Sequence, residues 1–422
     1  MTHDGQRDSP SFAEAARFWV RLGFISFGGP AGQIAVLHRE VVERRAWLDE
    51  RSFTGALNFC MLLPGPEALQ LAIYLGWKLH GVRGGLVAGL GFIVPAVLLL
   101  LALSFAYARY STLPVATGIL LGLKSAVVAL VLEALLRIGK RALRRPLHVV
   151  LAVASFAALQ WLGLPFPLIV LAAGAVGLAA AWRAPRSQAR PVPQAGRTMS
   201  PSRTLATGLT LWILPLVAVV ATLGAESLWA RLYLFFSQAA LVTFGGAYAV
   251  LGYVTQHLVV DLGWVTAQQS AAGLALAETT PGPLVIVLQF MGFMAGWNQP
   301  APLASATAAL LAAVLVSWAT FLPSFVFIFL GAPYVERIAR EPRIAAALAA
   351  ITAAVVGIIA TLAVLLAKVV VLPAGPAGAP SWAALAIAVA TWLALRHTRF
   401  DLPWVLAAAA LAGLAAQALG LA

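Results

Sequence analysis

Two short motifs occur twice in the chain, at a constant spacing of 217 residues, and each interrupts an apolar segment. Pro-Gly-Pro occupies residues 64–66 and again residues 281–283. Each copy is preceded, at the same interval, by Phe-Gly-Gly, at residues 27–29 and 244–246. The chain therefore contains two copies of one unit, and each copy has two interrupted segments.

The composition defines the solvent in which this unit folds. Hydrophobic residues make up 61% of the chain and charged residues 10%, and the mean hydropathy is +0.91. These values are typical of polytopic membrane proteins. Apolar windows of roughly 17–25 residues, enough to cross a hydrocarbon core of about 30 Å, recur along nearly the whole length. We therefore expect the lipid bilayer to be the chain's principal partner.

Charge and cysteine content exclude several other classes. The formal net charge is +13, but the basic residues lie in short loops between apolar segments, a pattern that marks cytoplasmic loops and not a surface that binds nucleic acid. A single cysteine, Cys60, excludes an internal disulfide and a cysteine-based metal cluster. The glycine-rich run at residues 85–91 lies inside an apolar span, which excludes a dinucleotide-binding loop. We expect no metal and no cofactor.

The two interrupted segments of the first unit, at about residues 13–37 and 53–77, are basic at both ends, as Arg21, Arg51 and Arg83 illustrate. A segment that crosses the membrane once is not expected to be basic at each end. We therefore predict that both are re-entrant: two half-helices enter from the cytoplasm, meet at the break and return. Such backbone is tolerated at membrane depth where it is buried in protein or lines a cavity.

The corresponding segments of the second unit, at about residues 227–251 and 267–296, have almost no lysine or arginine around them. This predicts that they open to the outside, so that the second unit is inverted relative to the first. An additional span at about residues 205–224 accounts for the inversion. Inverted-topology repeats with discontinuous helices that meet near the midplane are typical of secondary transporters. The alternative is a duplicated structural bundle.

These patterns together predict an all-α polytopic membrane protein with two inverted-topology repeats, about nine full spans and four broken segments. The only stretch typical of a linker is rich in proline, arginine, serine and glutamine. The predicted units are the first repeat at residues 1–182, a cytoplasmic linker at 183–204, a connecting span at 205–226 and the second, inverted repeat at 227–422.

The breaks have the chemistry of an oxyanion site. A half-helix that begins after a break presents unpaired N–H groups and the positive end of its dipole, and glycine lets the backbone approach a ligand closely. The alternative is that each break is only a kink or a close packing point. The candidate substrate-binding residues at the breaks are Ser26, Gly28, Gly29, Pro64, Gly65, Pro66, Thr243, Gly245, Gly246, Thr280, Pro281, Gly282 and Pro283.

Lys124 lies in the middle of an apolar run and is a further candidate for substrate binding. A lysine there costs about 2.5–3.5 kcal/mol on insertion scales and tends to face a cavity or a partner. Beyond an 11-residue insertion the repeat spacing becomes 228, and the counterpart of Lys124 is Thr352, so the charge is present in one repeat only. The alternative is a structural pair with Glu133 or Glu67.

Two carboxylates, Glu67 and Glu278, flank the two Pro-Gly-Pro breaks. A carboxylate at this depth is a candidate for carrying a coupling proton. Glu67 has the alternative role of capping the first turn of its half-helix through the helix dipole. Proton coupling through Glu67 or Glu278 is therefore a hypothesis that is independent of the anion site.

The motifs resemble those of the chromate ion transporter family in its long two-domain form. The resemblance rests on Phe-Ile-Ser-Phe-Gly-Gly-Pro at residues 24–30, on Leu-Pro-Gly-Pro-Glu-Ala-Leu-Gln-Leu-Ala at 63–72, and on the second copies of both motifs. It covers essentially the whole chain. The resemblance implies a multi-pass protein of the bacterial inner (plasma) membrane that exports chromate from the cytoplasm and confers chromate resistance, with sulfate as the close chemical analogue.

We therefore expect a secondary transporter and not an enzyme. The inside-negative potential favours expulsion of a dianion by about 4–5 kcal/mol per 100 mV, and the sequence has no ATP-binding loop. One alternative is a sulfate or other oxyanion carrier or channel of the same fold. Another is a membrane-embedded reductase, against which the single cysteine and the absence of flavin, haem or metal motifs argue. The sequence leaves the oligomeric state open, a homodimer included.

Overall fold

The structure, a computed structural model, describes residues 10–27, 29–182, 200–244, 246–332, 341–373, 375, 378–398 and 400–421. Within these ranges the chain forms sixteen α-helices, two π-helical segments and one 3-10 segment, and it has no strand. The predicted all-α fold is confirmed. Most of the predicted linker, residues 183–199, lies outside the described residues, and α8 has already begun at Pro201.

Seven α-helices form the first half of the chain. They are α1 (Phe12–Ile25), α2 (Gly29–His38), α3 (Glu50–Cys60), α4 (Glu67–Tyr110), α5 (Pro114–Ala142), α6 (Pro146–Trp161) and α7 (Phe166–Ala180). A π-helical segment, Arg39–Arg44, continues α2.

Nine α-helices form the second half. They are α8 (Pro201–Leu223), α9 (Leu228–Val242), α10 (Ala247–Thr255), α11 (Ala267–Thr279), α12 (Val287–Asn298), α13 (Ser305–Gly331), α14 (Pro342–Val371), α15 (Trp382–His397) and α16 (Leu402–Ala418). A second π-helical segment, Gln256–Asp261, continues α10, and the 3-10 segment Leu284–Ile286 precedes α12.

Both helices that run toward a Pro-Gly-Pro break are started by a side-chain cap. The Asp49 carboxylate accepts a hydrogen bond from the Ser52 N–H at the start of α3. Thr266 and Gln269 form a reciprocal capping box at the start of α11. Because a cap satisfies backbone donors that have no partner within the helix, it fixes where each half-helix begins.

α4 consists of two helices that meet at His80 and Gly81, where the backbone leaves the helical conformation. The first part folds back along the second, because Gly76 and Gly84 lie main chain against main chain. The half-helix after Pro-Gly-Pro therefore returns to the end of the molecule at which α3 begins, and the second part then crosses to Tyr110. This is the discontinuous, re-entrant arrangement that the basic flanks predict.

The re-entrant pair of the second repeat opens at the opposite end. The crossing part of α4 is antiparallel to α13, because Gly85 near its start contacts Phe329 near the end of α13. α12 in turn is antiparallel to α13, since Gly296 meets Ala308. The outer ends of α11 and α12 therefore lie at the far end of the molecule from those of α3. We name the end at which α3 begins and α5 finishes the arginine-rich end, after residues such as Arg44 and Arg141.

Among the described residues, five helices are long and apolar enough to cross a membrane, namely α4, α5, α8, α13 and α14. The chain is a multi-pass membrane protein. Four further predicted spans form apolar helices that are shorter, with 16 residues in α6, 15 in α7, 16 in α15 and 17 in α16. A perpendicular crossing takes about 20 residues, so these four fall short of that length.

The helices pack into two bundles, and each bundle draws on both repeats. The first bundle contains α1–α4 and α8–α13, and the second contains α5–α7 and α14–α16. The two bundles meet chiefly where α10 and α11 pack against α5 and α14. The predicted domain limits divide the chain by sequence, whereas the packing divides it across the repeats. The breaks all belong to the first bundle.

Candidate functional site

An exchanged pair of backbone hydrogen bonds brings the breaks of the two repeats together. The Gly65 N–H donates to the Thr243 carbonyl over 2.8 Å, and the Gly282 N–H donates to the Ser26 carbonyl over 2.9 Å. The spacing of 217 residues relates Ser26 to Thr243 and Gly65 to Gly282. Each Pro-Gly-Pro glycine is therefore bonded to the Phe-Gly-Gly break of the other repeat, and the predicted residues of both kinds of break meet in one place.

We name this exchanged pair of hydrogen bonds the crossing. Its two glycines, Gly65 and Gly282, also pack according to the repeat symmetry. Gly65 has a φ of +121°, and a Cβ there would lie 2.9 Å from the Ser324 hydroxyl oxygen. Gly282 has a φ of +98°, and a Cβ there would lie 2.5 Å from the Ala96 Cβ. Ser324 and Ala96 are themselves counterparts at the spacing of 228. Both the left-handed backbone and the close approach require glycine, so the Pro-Gly-Pro glycines build the crossing.

The four prolines frame this crossing. Pro66 and Pro283 stand in extended conformation directly before α4 and before the 3-10 segment that leads into α12. Proline fixes φ and has no N–H to leave unpaired at a helix start. The preceding prolines, Pro64 and Pro281, immediately precede the crossing glycines. The prolines therefore set the geometry of the crossing and supply no donor of their own.

The Phe-Gly-Gly breaks differ from the crossing in having space beside them. Gly29 has a φ of +67° and Gly246 a φ of +97°, and no atom lies within 4 Å of where a Cβ would stand at either position. α2 and α10 begin here, so the N-terminus of each helix lies beside an empty side-chain position. Gly28 and Gly245, which were also predicted to bind substrate, lie outside the described residues.

The predicted hydroxyl groups are buried and bonded within their own helices. Ser26 donates to the Leu22 carbonyl over 2.7 Å, Thr243 donates to the Ala239 carbonyl over 2.5 Å, and Thr280 likewise donates to its own helix. In this conformation their protons are directed away from the breaks. Their part in binding substrate stays a prediction.

Three buried polar side chains at the crossing were not singled out from the sequence, namely Gln33, Gln70 and Ser324. Gln33 donates from its side-chain amide to the Gly282 carbonyl, and Gln70 donates to the Pro64 carbonyl over 2.6 Å. Within the described residues, the Ser324 hydroxyl and the two amide oxygens have no hydrogen-bond partner. A buried polar group without a partner is costly. A glutamine in an apolar segment was the signal that could have identified two of the three.

The two predicted coupling carboxylates lie at the breaks in different surroundings. The Tyr248 hydroxyl donates to Glu278 Oε1 over 2.6 Å, and Glu278 is only 6% exposed. Arg137 on α5 also interacts electrostatically with this carboxylate. Glu67 is the half-buried first residue of α4, where a negative charge complements the helix dipole. Coupling through either carboxylate stays a prediction.

Lys124 lies away from the breaks. Its Nζ donates to Gln268 Oε1 over 2.7 Å, and Gln268 Nε2 donates to the Val369 carbonyl over 2.8 Å. Gln268 is near the start of α11, and the Thr280 break follows the end of that helix about 18 Å further along. Within the described residues Lys124 forms no ion pair, so the alternative pairing with Glu133 or Glu67 is not formed.

The described part of the chain contains no group of three or more histidine, cysteine, aspartate or glutamate side chains placed to hold a metal ion. Cys60 is a free, buried thiol at the end of α3. The residues that gather at the crossing are amides, hydroxyls and backbone groups, with the carboxylates Glu67 and Glu278 beside them.

A groove of about 500 Å³ between α2 and α3 leads from the arginine-rich end toward the first Phe-Gly-Gly break. His38 and Glu50 line its outer end, and Ala31, two residues beyond Gly29, lines its inner end. The hydrogen bond that the His38 ring donates to the Glu50 carboxylate raises the pKa of His38 above its ordinary value. The counterparts of α2 and α3 in the second repeat, α10 and α11, are instead covered by α5 and α14. The side chain beside the break is therefore exposed in one repeat and buried in the other: Met61 is 47% exposed and its counterpart Glu278 is 6% exposed.

The sequence profile of the chromate transporter family matches residues 13–178 and 230–414, one segment in each half of the chain. The chain belongs to the chromate transporter family. The match covers all the described breaks, so the exchanged crossing lies within the part of the chain that the family shares.

Three relatives of the family match most of the chain. It is 34% identical to the chromate transport protein of Pseudomonas aeruginosa over 80% of this chain and 76% of that protein. It is 29% identical to the chromate transport protein of Cupriavidus metallidurans over 95% of this chain and 92% of that protein. It is 27% identical to a probable chromate transport protein of Synechococcus elongatus over 81% of each. No solved structure matches the chain.

Proposed function

We propose that this protein is a secondary transporter that exports chromate from the cytoplasm across the bacterial inner membrane and thereby confers chromate resistance. The observation that carries the proposal is the exchanged pair of hydrogen bonds between Gly65 and Thr243 and between Gly282 and Ser26. In alternating access, a site opens first to one side of the membrane and then to the other. A crossing to which two inverted repeats contribute equally meets this requirement. The relatives named as chromate transport proteins support the substrate.

In this proposal the dianion binds beside the Phe-Gly-Gly breaks. α2 and α10 begin at Gly29 and directly after Gly246, each beside an empty side-chain position, and the helix dipoles favour negative charge there. The Ser324 hydroxyl adds a buried donor that lacks a partner in the described part of the chain. The Pro-Gly-Pro glycines use their own N–H groups to hold the crossing together, so they shape the site without donating to the substrate.

The membrane potential supplies the driving force in this proposal. The arginine-rich end faces the cytoplasm, as expected from the distribution of basic residues between the spans. An inside-negative potential then favours the outward movement of two negative charges by about 4–5 kcal/mol per 100 mV. A proton carried by Glu278 or Glu67 would add to this force, and Glu278 lies at a break and is bonded to Tyr248.

Uptake of labelled chromate into inside-out vesicles that contain the purified protein tests the proposal. We expect uptake that depends on protein and increases with a potential that is positive in the vesicle lumen, because the lumen corresponds to the outside of the cell. The control is a vesicle with Gly282→Ala, in which the crossing is disrupted. No uptake above that of protein-free vesicles would overturn the assignment of chromate export.

The same vesicles distinguish the alternatives. Competition by excess sulfate would indicate a general oxyanion carrier, and single-channel currents in planar bilayers would indicate a channel. A change in the oxidation state of chromium on incubation with the protein would indicate a reductase. Chromate that crosses unchanged, at a rate that saturates with concentration, is the outcome expected of a chromate carrier.

A further inference from the structure

One face of α3 carries polar side chains that are exposed although the helix leads into the membrane. Arg51, Thr54 and Asn58 lie at positions i, i+3 and i+7, which places them on one face of a helix, and all three are exposed. The face begins at the arginine-rich end and reaches a point six residues before Pro64. We name these three residues the α3 polar face.

The second repeat has no such face. The counterparts of the three residues on α11 are Gln268, Ala271 and Ala275. Both alanines are fully buried, and α11 packs against α5 and α14. The second repeat therefore has the same helix without its polar surface. A structural role shared by α3 and α11 does not explain why α3 alone has these polar residues.

The charges at the outer end of the groove also differ in whether they are paired. Arg44 is bonded to Glu40 over 2.6 Å, and Arg45 contacts Glu14 over 3.4 Å and Glu40 over 3.8 Å. Within the described residues, Arg39 and Arg51 have no carboxylate partner.

The two carboxylates that line the groove are already engaged. Glu50 lies 2.7 Å and Glu43 lies 3.1 Å from the ring nitrogens of His38. Arg39 lines the same groove. Within the described residues, two guanidinium groups beside the outer end of the groove therefore have no carboxylate partner: Arg39, which lines the groove, and Arg51, which follows the lining residue Glu50.

We propose that the α3 polar face and Arg39 form a loading site for a tetrahedral divalent oxyanion on its way from the cytoplasm to the breaks. The inference rests on the proposed function, because it assumes that the dianion binds at the breaks. Unpaired cations at the mouth of a cleft raise the local concentration of an anion and its rate of association. Thr54 lines the groove, and the exposed amide of Asn58, one helical turn further along α3 toward the break, offers N–H donors to the anion.

The external mouth has the opposite character. Arg39 and Arg51 correspond to Gln256 and Gln268, which are neutral. A cation does lie beside Gln268, but this cation, Lys124 of α5, already donates a hydrogen bond to the Gln268 side chain. The difference between the two mouths favours loading at the arginine-rich end.

Chromate uptake into inside-out vesicles tests the loading site through the separation of KM from the maximal rate. The variants give each residue the identity of its counterpart: Arg51→Gln, Thr54→Ala and Asn58→Ala. We expect KM to rise about three- to tenfold in Arg51→Gln, with the maximal rate unchanged and a weaker dependence on ionic strength. The matched control is Arg44→Gln, whose guanidinium is paired with Glu40, and it should leave KM unchanged. Equal KM values in Arg51→Gln and the wild type would overturn the proposal.

A labelling experiment tests the same site without transport. We expect Asn58→Cys to react with a water-soluble maleimide from the arginine-rich side, whereas Ala275→Cys, its buried counterpart, should not react. Cys60 is buried and gives little background. An unreactive Asn58→Cys would overturn the loading site. Failure of the wild type to transport chromate would instead overturn the proposed function and leave the labelling result intact.

Discussion

The half-helix pair α2 and α3 of the first repeat and the pair α10 and α11 of the second have one sequence pattern and different surroundings. α10 and α11 are packed against α5 and α14, whereas α2 and α3 enclose an open groove. The difference shows that the inverted repeats need not adopt the same state at the same time. One pair is sealed while the other is open, which is the asymmetry that alternating access requires.

The sealed pair also indicates what closing the open pair would involve. On the second repeat, Gln268 is bonded to Lys124 of α5 and to the main chain of α14. The corresponding residue on the open pair is Arg51, and the counterpart of Lys124 is Thr352 on α14. The second bundle would seal the arginine-rich end by bringing Thr352 toward Arg51 and would release Gln268 at the other end. In this proposal the exchanged crossing stays intact in both states.

The largest effect is expected at the crossing itself, in Gly282→Ala. An alanine would have to adopt a φ of +98°, with its Cβ 2.5 Å from the Ala96 Cβ. Strain and overpacking together should cost about 2–5 kcal/mol of stability and abolish chromate uptake. Thermal unfolding in detergent and vesicle uptake measure the two effects.

The controls for this substitution distinguish the crossing from glycine in general. Gly55→Ala places a Cβ in open space within α3 and should be neutral or slightly stabilising, by up to about 1 kcal/mol. Adding Ala96→Gly to Gly282→Ala should restore part of the stability. Normal uptake in Gly282→Ala would refute the role of the crossing.

A second prediction makes the open repeat resemble the sealed one. Met61→Glu places a carboxylate at the position that Glu278 occupies in the second repeat, and Met61 is exposed beside the break. Because a like charge opposes a dianion in a partly desolvated site, the affinity for chromate should fall about tenfold or more. The neutral variant Met61→Gln should change the affinity less than about twofold. Binding assays on both variants decide the matter, and equal affinities would place the anion elsewhere.

A third, smaller effect is expected at the contact between Lys124 and Gln268, at the end of the molecule opposite the arginine-rich end. If the contact between Lys124 and Gln268 holds the present state, Lys124→Ala and Gln268→Ala should lower the apparent affinity for chromate by similar factors, about three- to tenfold. The double variant should be no worse than either single one, because both remove one interaction. Thr352→Ala, at the counterpart of Lys124, should have no effect in this state. A large loss in Lys124→Ala alone would show instead that the lysine contacts the substrate.

The smallest effect is expected at the mouth of the open pair. The hydrogen bond that the His38 ring donates to the Glu50 carboxylate raises the pKa of His38 above its ordinary 6.5. The stabilisation that results is therefore complete below about pH 6.5 and is lost as the pH rises through the higher pKa of the folded protein. His38→Gln should remove this pH dependence, at a cost below about 1 kcal/mol because the partners are exposed. Unfolding midpoints of the wild type and of His38→Gln between pH 5.5 and 8.5 measure this pH dependence. If the midpoints of both proteins change equally with pH, His38 is not the source of the dependence.

Much of the architecture follows from the sequence, because it depends on features that a single chain carries. The repeated motifs mark the breaks, and the basic flanks at both ends of the segment around Pro64 predict a re-entrant pair. The structure has that pair in α3 and the first part of α4. The inversion follows from the same charge pattern, which differs between the two repeats.

The site could be predicted only in part, since its geometry depends on contacts between distant segments. Nothing in the spacing indicates that Gly65 would bond to Thr243 of the other repeat. Gln33 and Gln70 have the apolar counterparts Val250 and Val287. A comparison of the two repeats therefore does not identify the two glutamines. An insertion cost for Lys124 predicts that the lysine has a partner but not which one.

If two inverted repeats share one crossing, equivalent positions in the two repeats are accessible from opposite sides of the membrane. Glu43 and Val260 are counterparts at the spacing of 217, and both are exposed. Glu43→Cys and Val260→Cys would each be treated with a membrane-impermeant thiol reagent in intact cells and in inside-out vesicles. We predict that Val260→Cys reacts only in cells and Glu43→Cys only in inside-out vesicles. Labelling of both from one side would contradict the inverted arrangement of the two repeats.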